Sequence, residues 1–271
     1  MGRTRALMHI TSRDNSLLRQ ARAVRDGKVD DLIFVEGLRL CVEALRSNLE
    51  LEAVIASEEL IRKEKAAESF TEISKASRRV GTVSEKLLES ISYTKTPQGI
   101  VVLARRPEAS EQRLAASLTA NSLLVVLHQI NNPVNVGAIL RTAEAAGATG
   151  IITSKNTSDP FSPKSLRGAM GSAFRLPIWQ DAEFKRAVEW CRRYELVTIG
   201  TDADSKTKHT DIDWRRPTAL VLGPESTGLT ADELQNTDQT VSIPMQGEVE
   251  SLNVSVAAGI LLYEAARQRS S

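Results

Sequence analysis

Aromatic side chains are scarce: three Trp, three Tyr and five Phe make up 4% of the 271 residues. Binding through a platform of stacked rings is therefore not expected. Only two cysteines occur, Cys41 and Cys191, without the close spacing of a zinc or redox pair. Two thiols in so long a chain make no disulfide scaffold and point to a reducing, cytoplasmic setting. The three histidines are far apart, so neither a metal-ligand cluster nor a nucleophilic triad is legible. No run nears the roughly 20 apolar residues of a membrane span, and the first ten residues hold no apolar signal core. A G-x-G-x-x-G after a strand, a Walker loop and a G-x-S-x-G are all missing; Gly168-Ala-Met-Gly171 stops short of the first. These absences weigh against a dehydrogenase, a P-loop nucleotidase and a serine hydrolase. A net charge of +1 gives no global basic signature.

What is present is an ordinary globular balance, 41% apolar and 25% charged, long enough for one large or two ordinary domains. The charge is uneven. Residues 1–28 carry Arg3, Arg5, Arg13, Arg19, Arg22, Arg25 and Lys28 against Asp14 and Asp26. That start reads either as a solvated segment or as a phosphate-facing edge.

Strand-like runs at 31–35, 53–56, 82–83 and 100–104 alternate with helical patterns at 16–25, 38–46, 57–79 and 84–90. This predicts a small α/β domain over residues 1–107. Residues 108–121, rich in Ala, Ser, Glu and Gln, read as a linker, partly helical. Residues 122–271 read as a second α/β domain. Its strands fall at 122–127, 150–153, 174–178, 196–199, 219–222 and 241–243, with helices at 136–146, 181–194, 229–236 and 252–266 between and after them. Short apolar strands separated by helices imply a mostly parallel sheet covered on both faces.

Ligands of such sheets bind beyond the carboxyl ends of the strands. Three polar loops leave strand ends here. His128 to Gly137 runs into a helix, with Asn135 placed as its cap and Arg141 off the apolar stripe. Arg141 either reaches back toward Asn135 over the small Ala138 and Gly137, or pairs with Glu144 on the surface. A lone histidine such as His128 reads as structural. In the second loop, Leu222-Gly-Pro-Glu-Ser-Thr-Gly-Leu229, two glycines bracket a stiff turn that presents Glu225 or uses it to anchor amides. The third, Ile243 to Asn253, carries Gly247 and leads into a helix that is apolar nearly all round, with Ser251 placed as its cap.

In order and spacing, these loops resemble the three motifs of the SpoU (TrmH-like) RNA ribose 2′-O-methyltransferases of the SPOUT superfamily. The matching stretches are 135–147, 220–229 and 242–257, and Phe34-Val-Glu-Gly-Leu-Arg-Leu40 is similar to the family's N-terminal substrate-binding domain. The resemblance implies an α/β-knot, a parallel sheet whose C-terminal segment forms a trefoil knot, and a homodimer built through the knot domain. It implies S-adenosylmethionine as cofactor, held by Gly200, Thr201, Leu222, Gly223, Ile243 and Leu252. It makes Arg141, Asn135, Glu225, Ser251 and Asn253 the polar residues of the reaction site. Arginine is effectively always protonated, so Arg141 is expected to stabilise charge on the 2′-oxygen rather than act as a base. Arg13, Arg19, Lys164 and Arg167 are candidates for RNA phosphate. No metal and no membrane partner is expected. The two-domain arrangement favours large-subunit (23S) rRNA over tRNA. The alternative, an inactive RNA-binding protein of the same fold, is disfavoured because the whole polar set is present.

Overall fold

Short apolar runs pair into two sheets, and the amphipathic segments between them cover both. The structure, a computed structural model, describes residues 7–247 and 251–270. In chain order its elements are β1 (Leu7–His9), α1 (Ser16–Arg25), β2 (Leu32–Glu36), α2 (Leu38–Arg46), β3 (Leu51–Ser57), α3 (Glu58–Ile61), α4 (Glu64–Ala76), β4 (Arg79–Val83), α5 (Glu85–Glu89) and β5 (Ile100–Arg105). There follow α6 (Glu111–Ala116), β6 (Leu123–Leu127), α7 (Pro133–Ala145), β7 (Gly150–Ser154), α8 (Pro163–Ala169), α9 (Ser172–Arg175), β8 (Ile178–Ala182) and α10 (Phe184–Arg193). The chain closes with β9 (Val197–Thr201), β10 (Thr218–Leu222), α11 (Ala231–Gln235), β11 (Gln239–Val241) and α12 (Val254–Arg269).

Two units result. The first takes residues 1–107 together with 161–174, the second residues 108–160 and 175–271. The first unit has a five-stranded sheet in the order β1-β4-β3-β5-β2. β1, β4 and β3 run parallel, and β5 is antiparallel to both β3 and β2. All five residues of β2 are buried, because α1, α2 and α8 pack on it. Its core gathers Leu17, Leu18, Phe34, Ile55, Leu88 and Val101. Burial of each such side chain contributes about 1.5–3 kcal/mol.

The second unit has a six-stranded, all-parallel sheet in the order β11-β9-β10-β6-β7-β8. Leu123-Leu-Val-Val-Leu127 is wholly buried, as a strand covered on both faces must be. Register places Leu127 beside Leu222, Gly200 beside Val221 and Val241 beside Thr201, so the carboxyl ends of β6, β10, β9 and β11 come together. Residues 108–121 carry α6, which lies on β8 and buries Leu114 completely.

Several predicted elements differ, among them the strand expected over 241–243, which runs Gln239–Val241. The helix expected over 57–79 is two helices. Ser57 caps α3 by accepting from the Leu60 amide, and Lys63 turns extended (ψ 115°) before α4. The polar character of both pieces hid that change of axis. The strand expected over 174–178 begins only at Ile178: Phe174 and Leu176 alternate like a strand, but they are buried around the turn of α9 that Gly171 (φ +99°) introduces. The final helix starts at Val254, not Leu252.

Candidate active site

The helix α7 begins one turn earlier than expected. Asn132, not Asn135, is its cap: the Asn132 Oδ1 accepts from the Val134 amide at 3.0 Å, and Pro133 fills the first helical position. Proline is preset for that position and has no amide left to satisfy. With Asn132 as the cap, the Asn135 side chain turns to other partners. Only 6% exposed, it donates from Nδ2 to Oε1 of Glu225 at 3.0 Å. Its Oδ1 accepts from Nδ2 of Asn253 at 3.3 Å.

The cap of the last helix also lies elsewhere than expected. Ser251 is exposed and lies before the helix, and Asn253 caps α12, its Oδ1 accepting from the Ser255 amide at 2.9 Å and the Ser255 hydroxyl at 2.6 Å. Ser251 and Asn253 are both cap-forming types two residues apart, so local sequence did not decide between them. Asn253 thus carries two loads, orienting the start of α12 and holding Asn135.

Glu225 stands on the turn after β10. The Gly228 amide donates to the Pro224 carbonyl at 2.9 Å, and Gly228 takes a φ of +63° that favours glycine. At Gly223 a Cβ would come within 2.6 Å of the Leu229 amide nitrogen, so no side chain fits without moving backbone. The three loops named by the sequence therefore meet through one hydrogen-bonded chain, Glu225–Asn135–Asn253.

Arg141 does not join that chain. It is six residues beyond Asn135, about 120° around the helix and about 9 Å along it, and it is exposed. It also does not pair with Glu144, which is held by Nε and Nη2 of Arg175 at 2.5 and 2.9 Å. Among the described residues Arg141 makes no ion pair, which leaves its guanidinium available to a ligand.

The residues expected to hold a cofactor surround the same strand ends. Gly200 and Thr201 close β9, with the Thr201 hydroxyl donating to the Val221 carbonyl at 3.1 Å. Leu222 is buried, and its carbonyl accepts from the His128 amide at 2.9 Å. Ile243 is half-buried just past β11, and Leu252 is 37% exposed just before α12. Residues 248–250 of the intervening loop lie outside the described residues. The glycine at 223 and the open ends of four parallel strands suit a flat polar ligand held by backbone atoms.

His128 is structural, and the network around it was not legible from sequence. Its Nδ1 meets the Ser154 hydroxyl at 2.9 Å, its Nε2 meets Oε1 of Glu233 at 2.7 Å, and its ring leans on Phe184. Burial works against ionisation of Glu233, but bonds from Thr230 and His128 outweigh it and hold the carboxyl below its usual range. The only local signal was Thr230-x-x-Glu233, which forms a capping box at the start of α11. Through the His128 amide on the Leu222 carbonyl, the network is tied to the end of β10.

The four RNA candidates are exposed, and all belong to the first unit. Arg13 and Arg19 flank the start of α1. Lys164 and Arg167 lie on α8, which comes from the second half of the sequence yet folds with the first unit. Among the described residues no group of side chains is arranged to hold a metal, and no helix is long and apolar enough to cross a membrane.

Comparison with known proteins bears on this arrangement. Residues 122–263 match the model of the SpoU rRNA methylase family, and residues 34–110 match the model described as RNA 2′-O ribose methyltransferase substrate binding. An uncharacterized tRNA/rRNA methyltransferase of Mycolicibacterium gilvum is 34% identical over 93% of this chain and 81% of its own. The 23S rRNA (guanosine-2′-O-)-methyltransferase RlmB of Bordetella pertussis is 33% identical over 78% of this chain and 87% of its own. The SpoU methyltransferase AviRb of Streptomyces viridochromogenes, solved in complex with AdoMet, superposes with a TM-score of 0.83 at 28% identity, covering 95% of this chain and 99% of that one. The three loops that meet at Asn135 fall within the matched family region, and the chain belongs to the SpoU rRNA methylase family.

Proposed function

We propose that this protein transfers a methyl group from S-adenosylmethionine to a ribose 2′-hydroxyl of RNA, with large-subunit rRNA as its substrate. The observation that carries the reading is the bonded chain Glu225–Asn135–Asn253 at the open end of a parallel sheet, beside a glycine where no Cβ fits. S-Adenosylmethionine supplies an electrophilic methyl group. Gly200, Thr201, Leu222, Gly223, Ile243 and Leu252 hold it through backbone and apolar contacts at the strand ends. The closeness of backbone at Gly223 supports that assignment.

What the chain must add is help for a poor nucleophile. Arg141 stabilises negative charge growing on the 2′-oxygen and orients a neighbouring phosphate that takes the proton. Asn135 and Glu225 fix one wall of the site, and Asn253 ties that wall to α12. Ser251, exposed at the mouth of the same loop, contacts the target nucleotide. Residues 1–107 bind the RNA, with Arg13 and Arg19 on phosphate, joined by Lys164 and Arg167 of α8. Residues 122–271 form the knotted methyltransferase domain. Its α12 leaves Val256 and Tyr263 51% and 57% exposed, an unusual apolar stripe for a free surface, and we assign it to a homodimer. A cytoplasmic location suits an enzyme acting on rRNA and two unpaired, buried thiols.

The test is methyl transfer to rRNA by wild type and Arg141→Ala, with cofactor affinity measured in parallel. The reading expects transfer to fall by about a hundredfold or more in the variant, with affinity for S-adenosylmethionine within about twofold of wild type. Substantial turnover by Arg141→Ala contradicts the role given to that residue, and absence of transfer by wild type contradicts the reading itself.

A further inference from the structure

The first unit contains a cleft of about 310 Å³ that the site in the second unit does not use. It opens where the parallel strands β1, β4 and β3 end, at His9, Val83 and Ser57. The ionisable side chains that line it are His9, Arg13, Glu58 and Lys86, and Thr11 and Ser84 add hydroxyl groups. Glu58 is already paired: Arg62 Nη2 lies 3.6 Å from one oxygen, and His9 Nδ1 approaches the other at 3.4 Å. Arg13 and Lys86 are not. Both are exposed, and neither makes an ion pair among the described residues.

Two uncommitted cations in one concavity favour an anion, and Lys and Arg are the usual phosphate partners. Glu58, paired with Arg62, keeps lone pairs for a hydroxyl donor. We propose that this cleft takes one nucleotide of the RNA substrate. Its phosphate meets Arg13 and Lys86, and its ribose 2′-hydroxyl donates to Glu58. DNA offers no donor at that position, so the same carboxylate selects RNA. The inference rests on the reading of RNA as substrate and adds to it a docking point remote in sequence from the methyl-transfer residues.

The test uses the full chain and a short fluorescein-labelled single-stranded RNA, with binding followed by anisotropy across a salt series. The double variant Arg13→Ala/Lys86→Ala is compared with Lys65→Ala/Arg193→Ala, which removes the same charge from exposed residues that do not line the cleft. The first pair is expected to weaken binding by about tenfold or more and to reduce the salt slope by about 0.7, the share of one phosphate. The second pair should stay within about twofold of wild type. Wild type should prefer RNA to DNA of the same sequence, and Glu58→Gln should narrow that preference. Equal losses in the two double variants, or none in either, overturn the proposal. Methyl transfer to rRNA by wild type, run alongside, separates the two levels: transfer with binding indifferent to Arg13 and Lys86 discards the cleft alone, whereas neither binding nor transfer discards both.

Discussion

Both ends of the Asn135 amide are engaged, Nδ2 on Glu225 and Oδ1 on Asn253, and the side chain is nearly buried. Asn135→Ala should therefore cost about 1 kcal/mol of stability, the net of the bonds lost, since water takes its place on the exposed Glu225 and Asn253, as thermal or urea unfolding would show. Asn135→Asp is the sharper variant. It sets a carboxylate against Glu225, so its deficit should be greatest near neutral pH and shrink as pH falls below about 4 and the pair shares a proton. A deficit that does not change with pH would mean the contact is not electrostatic. Gly223→Ala acts on another property. Its Cβ collides with the backbone at Leu229, so cofactor affinity should fall together with transfer, the opposite of Arg141→Ala. Isothermal titration with S-adenosylmethionine distinguishes the two. The identities of these residues were legible in the sequence, but two of their local roles were not. Asn132 and Asn135 both satisfy a cap, as do Ser251 and Asn253, and the choice depended on Pro133 and on which amide ended inside the unit. Arg175 comes from a distant part of the chain, so nothing in the sequence of α7 showed that it would claim Glu144.

Among the elements, α12 has the most to hold in place. It packs on α7, its cap binds Asn135, and its far end is clamped to the sheet. Arg269 donates to the carbonyls of Arg216 (2.7 Å), Ser122 (3.3 Å) and Asn121, tying the helix to the segments that enter β6 and β10. Arg269→Ala should lower stability by about 1.5–3 kcal/mol, the range for bonds from a charged donor, measurable by urea denaturation. Glu264, on the same helix, gives a pH signature. Bonds from Arg267 and Gln268 lower its pKa to about 2. A depressed folded-state value contributes stability that is present above the unfolded value near 4.5 and lost as pH falls toward 2. Glu264→Gln should thus be less stable than wild type at pH 7 and equal to it near pH 2. The inner strands β6, β7, β9 and β10 were plain in sequence because buried parallel strands are continuous apolar runs. The turn at α9 was not, because apolar alternation from Phe174 to Ile178 has the same period whether it pairs in a sheet or wraps a buried turn.

At the scale of the molecule, the division into units cuts across the sequence. Residues 161–174 fold with the N-terminal unit, which gathers Arg13, Arg19, Lys164 and Arg167 into one unit and leaves the bonded loops in the other. Composition alone could not show this, since the +1 net charge conceals how the cations are distributed. The exposed stripe on α12 leads to a prediction about assembly. Wild type should sediment as a dimer at micromolar concentration, and Val256→Asp/Tyr263→Asp should sediment as a folded monomer; a monomeric wild type would remove the dimer from the account. The most direct measurement of the central claim follows tritium from labelled S-adenosylmethionine into rRNA and hydrolyses the product with alkali. A methylated 2′-oxygen cannot attack its neighbouring phosphate, so the account predicts label in alkali-resistant dinucleotides, lost in Arg141→Ala. Label recovered in mononucleotides would place the methyl on a base and contradict it.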